Sequence, residues 1–203
     1  MVGADALAPV PGLTAALGDL AERLRRVTVQ VRAGARGTGA GIVWLRQGLI
    51  VTNAHVATGP NLEVVLPDDR AVRAQLVARD PERDLAALEL SPGDHEPAIR
   101  ADARGLRAGE LVVAVGHPLG VSYAAALGLV HRPPTGGRGP AGWLQADIRL
   151  APGNSGGPLA DAGGRVVGIN AMIVGGLGFA VPTHVVEGFL NRIGRTGRRA
   201  RAA

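Results

Sequence analysis

Between Leu13 and Arg26 the apolar residues Leu13, Leu17, Leu20 and Leu24 recur three or four positions apart, with charged residues between them. That spacing predicts a short amphipathic helix. At Val27 the period drops to two, and the alternating run VTVQVR predicts the first strand. From there to about Val181 the chain reads as short apolar runs cut by Gly, Pro or Asp. They are GAGIVWL, LIVTNAHV, LEVVLP, AVRAQLVARD, LAALEL, LVVAVG, AAALGLV, WLQADI, GRVVGINAMIV and GFAVP. Strands of this length at a spacing of about 8–12 residues predict an all-β sandwich or barrel and not an alternating α/β fold. A last helix is predicted over Thr183 to Ile193, with Thr183 as N-cap and Val186, Phe189, Leu190 and Ile193 on one face. The stretch HRPPTGGRGPAG, His131 to Gly142, reads as a flexible loop or as the linker between two halves of the β structure. No internal repeat of solenoid or propeller length is present.

Composition sharpens this picture. Of 203 residues 46% are apolar, enough for a buried core, while 31 Gly and 14 Pro favour short strands and turns over long helices. Aromatic residues are only 2%, too few for base-stacking platforms or a membrane barrel with aromatic belts. Cysteine is absent, which removes disulfides, thiolate metal sites and a cysteine nucleophile. All 22 basic residues are Arg, and the net charge is +5. Five of them (Arg192, Arg195, Arg198, Arg199, Arg201) lie in the last twelve residues, where no acid occurs, leaving 17 Arg against 17 acids elsewhere. The excess charge thus belongs to these last twelve residues, four of the five Arg falling in a basic tail over residues 194–203 that is read as a solvated end and not as a nucleic-acid element. No apolar run is long enough to span a membrane, and the opening MVGADALAPVPGL lacks the basic start of a signal peptide.

Three polar residues interrupt runs that should otherwise be buried. His55 closes LIVTNAHV, Asp84 opens RDLAALEL, and Ser155 sits in PGNSGGPL, the most glycine-dense turn. A serine hydroxyl attacks a carbonyl only with a base to take its proton and donors to receive the oxyanion. Gly153, Gly156 and Gly157 free the backbone around Ser155 to converge its N–H groups on one point. Each residue alone has an ordinary explanation: a glycine-rich hairpin turn, a core histidine, an aspartate that starts a strand. In the order His, Asp, Ser, at strand edges of an all-β chain, they form a constellation suited to acyl transfer.

The segments TNAHV, RDLAAL and GNSGGPL resemble the three active-site blocks of trypsin-like serine proteases of the HtrA/Deg family. VVAVGHPLG, VGIN and GFAVP resemble that family in the same order, over about Val27 to Ile193. The resemblance implies a double six-stranded β-barrel with short N- and C-terminal helices. It also implies a protease domain over residues 27–193 whose two barrels join near residues 100–142. By the same resemblance His55 is the general base, Asp84 its orienting carboxylate and Ser155 the nucleophile. Gly153 and Ser155 supply oxyanion N–H groups with Asn154 between them, and Leu150 and Ile173 line an apolar specificity pocket. Such enzymes use no metal or cofactor and cut unfolded polypeptides after small or medium apolar residues. They resemble trimers joined through an N-terminal segment, here residues 1–26, and are usually extracytoplasmic.

Several positions depart from the family pattern. No PDZ domain follows before Ala203. Arg149 stands beside the pocket where a small residue is usual, so it is expected either to favour acidic substrate residues or to point to solvent. His117 replaces the usual Asn or Ser of a Gly-x-Pro motif and is read as a turn residue. Nothing matches the freed Ile-Val terminus of a trypsin zymogen, and Asn154 replaces the acid that would pair with it. His95, His131 and His184 show no metal spacing, and Trp44 and Trp143 read as barrel core. The competing readings are a catalytically quiet peptide-binding module that keeps the cleft, and a nucleic-acid-associated protein acting through its Arg tail.

Overall fold

The computed structural model describes residues 12–34, 38–91, 93–118, 122–137 and 139–201, with side chains described only as far as Gly194. After the helix α1 (Leu13–Val27) come twelve strands, and they close into two antiparallel six-stranded barrels. The first barrel contains β1 (Thr28–Ala33), β2 (Thr38–Leu45), β3 (Leu49–Thr52), β4 (Leu62–Val65), β5 (Ala71–Asp80) and β6 (Leu85–Glu89), ordered β1-β2-β3-β6-β5-β4. The second contains β7 (Leu111–Gly116), β8 (Ala124–Arg132), β9 (Leu144–Asp147), β10 (Pro158–Asp161), β11 (Val166–Val174) and β12 (Leu177–Pro182), ordered β10-β11-β12-β9-β8-β7. Helix α2 (Thr183–Arg201) follows. This is an all-β barrel fold, as the patterning predicted, in the trypsin-like double-barrel form that the resemblance implied.

Three apolar cores account for the near-continuous apolar runs. Val29, Val31, Ile50, Val64, Ala86 and Leu88 fill the first barrel. Val112, Ala114, Leu144, Ala146, Leu159 and Ala180 fill the second. Between the barrels lies a third core, in which Ile42, Trp44, Leu85 and Ala87 meet Val113, Val115, Ile169 and Val181, closed by Leu20 and Leu24 of α1 and Phe189 of α2. Strands at this seam bury both faces, so β6 and β7 do not alternate in polarity. Trp44 and Trp143 belong to the seam and not to a barrel interior.

The structure moves several expected boundaries. Val27 is the last helical residue and the strand starts at Thr28. Pro158–Asp161 forms β10, which the glycine-rich turn before it concealed; Pro158 is tolerated as a first strand residue. Helix α2 runs past Ile193 to Arg201, since Gly194 and Gly197 weaken a helix without having to end it. Thr183 caps the connector as well as opening α2: its hydroxyl donates to Ala101 O at 2.7 Å and accepts Ala103 N–H at 3.3 Å. Passage between the barrels occupies residues 90–110, earlier than the expected join, and residues 133–143 connect β8 to β9 within the second barrel. Hydrogen bonds tie that passage to both sides, Ala98 N–H to Val43 O and Ala101 N–H to Val166 O, each at 2.9 Å.

His117, read as a turn residue, follows the end of β7 and is only 2% exposed. Its ring lies 4.6 Å from Tyr123, edge to face, and neither nitrogen has a hydrogen-bond partner among the described residues. Burial pushes this imidazole from the ordinary 6.5 down to about 4, and Arg32 adds repulsion; the Val29 carbonyl opposes the shift without forming a hydrogen bond of normal geometry. Between these values the unfolded chain binds the proton and the folded one does not. Stability is therefore full above pH 6.5 and falls as pH drops towards 4, by on the order of 3 kcal/mol for a shift of this size. In the uncharged variant His117→Asn, the difference in unfolding free energy between about pH 7.5 and about pH 4.5 shrinks by roughly 2–3 kcal/mol. Denaturant melts at the two pH values measure it; an unchanged difference contradicts the assignment.

Candidate active site

β3 ends at Thr52, and the chain turns at once: Val56 and Ala57 N–H both donate to Asn53 O, at 3.2 and 3.1 Å. His55 stands at the apex of this turn, not within a strand, with its side chain half exposed. Buried Asn53 donates from Nδ2 to the backbone Asp84 O at 3.0 Å. Sequence reading missed Asn53, because nothing in the run TNAH separates a positioning amide from a loop residue.

Asp84 closes the tight turn from β5 to β6, its N–H reaching Pro81 O at 3.3 Å. Its φ of +52° is left-handed, which costs about 1 kcal/mol even for a short polar side chain. The conformation swings the carboxylate back over the His55 turn. There Oδ1 accepts the His55 backbone N–H at 3.0 Å, and Oδ2 lies 2.7 Å from His55 Nδ1. An ionised carboxylate so placed accepts from Nδ1–H, and in the neutral tautomer with that proton Nε2 carries the lone pair. The carboxylate thus holds His55 at two points, the ring and the backbone, although 29 positions separate the two residues in the chain.

Ser155 comes from the second barrel, in the turn between β9 and β10. Its glycines answer to close backbone approach. A Cβ on Gly156 (φ +86°) would come within 2.0 Å of Ala40 O, and one on Gly153 (φ +104°) within 2.2 Å of His117 O. Neither position can carry a side chain without moving backbone. His117 N–H donates to Gly153 O at 3.1 Å, and Ala40 N–H donates to Ser155 O at 2.7 Å, so the turn is pinned by both barrels. Gly153 N–H and Ser155 N–H make no hydrogen bond to the described residues, and buried Asn154 lies between them. The Ser155 hydroxyl donates to Ala171 O at 3.3 Å, a long contact for O–H···O. No hydrogen bond joins it to His55 among the described residues.

A cavity of about 220 Å³ opens beside Ser155, lined by Leu150, Ala151, Pro152, Asn154, Asn170, Ala171, Met172 and Ile173. Leu150 and Ile173 are among its lining residues, whereas exposed Arg149 is not. Just past the end of β9, Ile148 is buried while Arg149 is exposed. Met172 escaped the sequence reading because pairing between β11 and β12 shifts register between Asn170 and Met172. A bulge of this kind leaves no trace in hydropathy.

Comparison with known proteins agrees with this geometry. Residues 39–169 match the family model for a trypsin-like peptidase domain. "Protease Do-like 1, chloroplastic" of Arabidopsis thaliana is 33% identical over 90% of this chain and 45% of its own length. "Probable periplasmic serine endoprotease DegP-like" of Marinomonas sp. is 35% identical, covering 81% of this chain and 37% of that protein. "Serine protease Do-like HtrA" of Bacillus subtilis is 36% identical, covering 74% and 38%. This chain therefore spans less than half the length of these relatives. With two closed barrels and a matched span of more than half its residues, it belongs to the trypsin-like peptidase family, as a protease domain of the HtrA/Deg type.

Proposed function

We propose that this chain is a serine endopeptidase domain in which His55, Asp84 and Ser155 form the catalytic triad. The observation that carries the reading is the two-point contact between His55 and Asp84 across the cleft from a serine turn with two undirected N–H groups. In this mechanism His55 Nε2 takes the Ser155 proton as Oγ attacks the scissile carbonyl. Gly153 and Ser155 N–H groups then receive the oxyanion, with Asn154 holding the turn between them. The imidazolium, steadied by Asp84, gives its proton to the leaving amine, and water repeats the cycle on the acyl-enzyme.

The 220 Å³ cavity, with Leu150, Met172 and Ile173 in its wall, suits a small or medium apolar side chain before the cut bond. Substrates would be unfolded or flexible polypeptides, since an extended segment must lie along the cleft. A trimer built through the N-terminal segment would cover Leu13, which stands 51% exposed on the first turn of α1; residues 1–11 of that segment lie outside those described. The periplasmic and chloroplastic relatives favour an extracytoplasmic setting. Among the described residues no helix is long and apolar enough to cross a membrane.

A catalytically quiet peptide-binding cleft is the second reading, and the Ser155 hydroxyl bonded to Ala171 O favours it. Catalytic hydrogen bonds are often loose before substrate arrives, and a long contact restrains the serine rotamer little. Labelling with a fluorophosphonate separates the two. Wild type should be modified and Ser155→Ala should not; a wild type that never reacts sinks the enzyme reading. Turnover of an unfolded protein substrate should fall by several orders of magnitude in Ser155→Ala and His55→Ala, with unchanged circular dichroism.

Gly153→Ala should lower kcat by roughly 10²–10³ by displacing an oxyanion donor, while substrate binding is retained. Single-turnover kinetics beside a binding titration would show it. In Leu150→Phe, which fills the cavity, cleavage after Val should drop relative to cleavage after Ala by on the order of tenfold in kcat/KM. A peptide library scanned at that one position provides the measurement, and an unaltered profile would remove Leu150 from the pocket.

A further inference from the structure

We infer that Asp80, at the end of β5, is a positioning residue for the His55–Asp84 pair, and that Arg192 of α2 shares in holding it. This deepens the proposed triad and rests on it. The Asp80 side chain is 15% exposed and accepts three hydrogen bonds. Oδ1 takes the Arg83 backbone N–H at 3.1 Å, and Oδ2 takes Arg83 Nη1 at 2.9 Å and Arg192 Nη2 at 3.1 Å. The first of these braces the turn from inside, three residues on, immediately before Asp84. Asp84 must stay left-handed for its carboxylate to face the imidazole, and a strained conformation persists only where its surroundings hold it.

The residue beside it completes the arrangement. Arg79 Nε donates at 3.0 Å to Ala54 O, the carbonyl that precedes His55. Two consecutive residues at one strand end therefore reach both chain segments of the pair: Arg79 the histidine turn, Asp80 the aspartate turn. Exposed local pairs such as Arg70–Asp68 restrain nothing beyond themselves. Asp80 differs because it is mostly sheltered, caps a backbone N–H, and joins two elements 112 positions apart. Through Arg192 the helix that closes the seam between the barrels also bears on the turn that presents Asp84.

The test compares Asp80→Ala, Asp80→Asn and Arg192→Ala in the full chain. Two readouts are taken: kcat and KM on an unfolded protein substrate, and the far-downfield proton resonance of the His55 Nδ1–H···Asp84 bond. Asp80→Ala should lower kcat about tenfold with KM unchanged, and broaden or erase the resonance. Asp80→Asn keeps an oxygen for the Arg83 N–H and should restore most of both. Arg192→Ala should lower kcat by roughly two- to threefold, as suits a half-exposed partner. If Asp80→Ala does not fold, the resonance in the other two variants decides. The inference is overturned if folded Asp80→Ala keeps wild-type kcat and resonance, or if kcat falls only with melting temperature while the resonance stays. Equal losses in Asp80→Ala and Asp80→Asn would overturn it too, because they would trace the effect to charge and not to the turn. The resonance is read without substrate, so it tests this inference even if the wild type proves inert and the triad reading fails.

Discussion

Two closed barrels have no free edges to join, so they must meet through side chains and a few backbone contacts at their ends. The contact on which the site depends is the hydrogen bond from Ala40 N–H to Ser155 O. It ties the serine turn of one barrel to the start of β2 in the other. Glycine makes it feasible: Gly39 and Gly156 let two backbones approach to a distance at which a Cβ would strike Val56 or Ala40 O. Beneath it the apolar seam of Ile42, Trp44, Val113, Val115 and Ile169 supplies the burial that keeps the barrels in register. Groups from each side can then be held at fixed separation.

The seam also explains why polar groups near the site are so closely bound. Asn53, Asp84, Asp80 and Thr52 all make bonds to backbone across loops, Thr52 Oγ1 donating to Ala40 O at 2.7 Å. A left-handed aspartate, two glycines at positive φ and a buried histidine whose ring has no hydrogen-bond partner among the described residues lie within a few residues of the cleft. Local strain of this kind gathers where function needs an unusual geometry, and the surrounding packing holds it in place. His117 belongs to the same pattern. Its backbone N–H fixes Gly153, while its ring occupies a pocket that only the neutral form suits.

Much of the fold was legible along the chain, for definite reasons. The change of period at Val27, the short runs bounded by Gly and Asp, and the glycines at 175 and 176 each follow from local sterics. The last pair, at φ +59° and +84°, forms the two-residue turn of the β11–β12 hairpin. Less was legible where two elements compete for one residue. PLAD became a strand only because β7 and β11 flank it, and the Arg-rich end became helix because nothing there had to end it. The burial of His117 left no mark in the sequence, because burial depends on the neighbours that pack against a residue and not on the residue itself.

By itself the sequence determined which chemical groups are present and how each strand is patterned. These are local properties: a period of two, a glycine where no Cβ fits, a carboxylate at the head of an apolar run. The tertiary structure alone decided that Asp84 turns its carboxylate onto His55, that Arg149 is not among the residues lining the cavity, that Met172 is, and that Arg192 reaches Asp80. Each of those depends on where two distant segments come to lie, and a chain encodes such meetings only through the packing of all its parts at once.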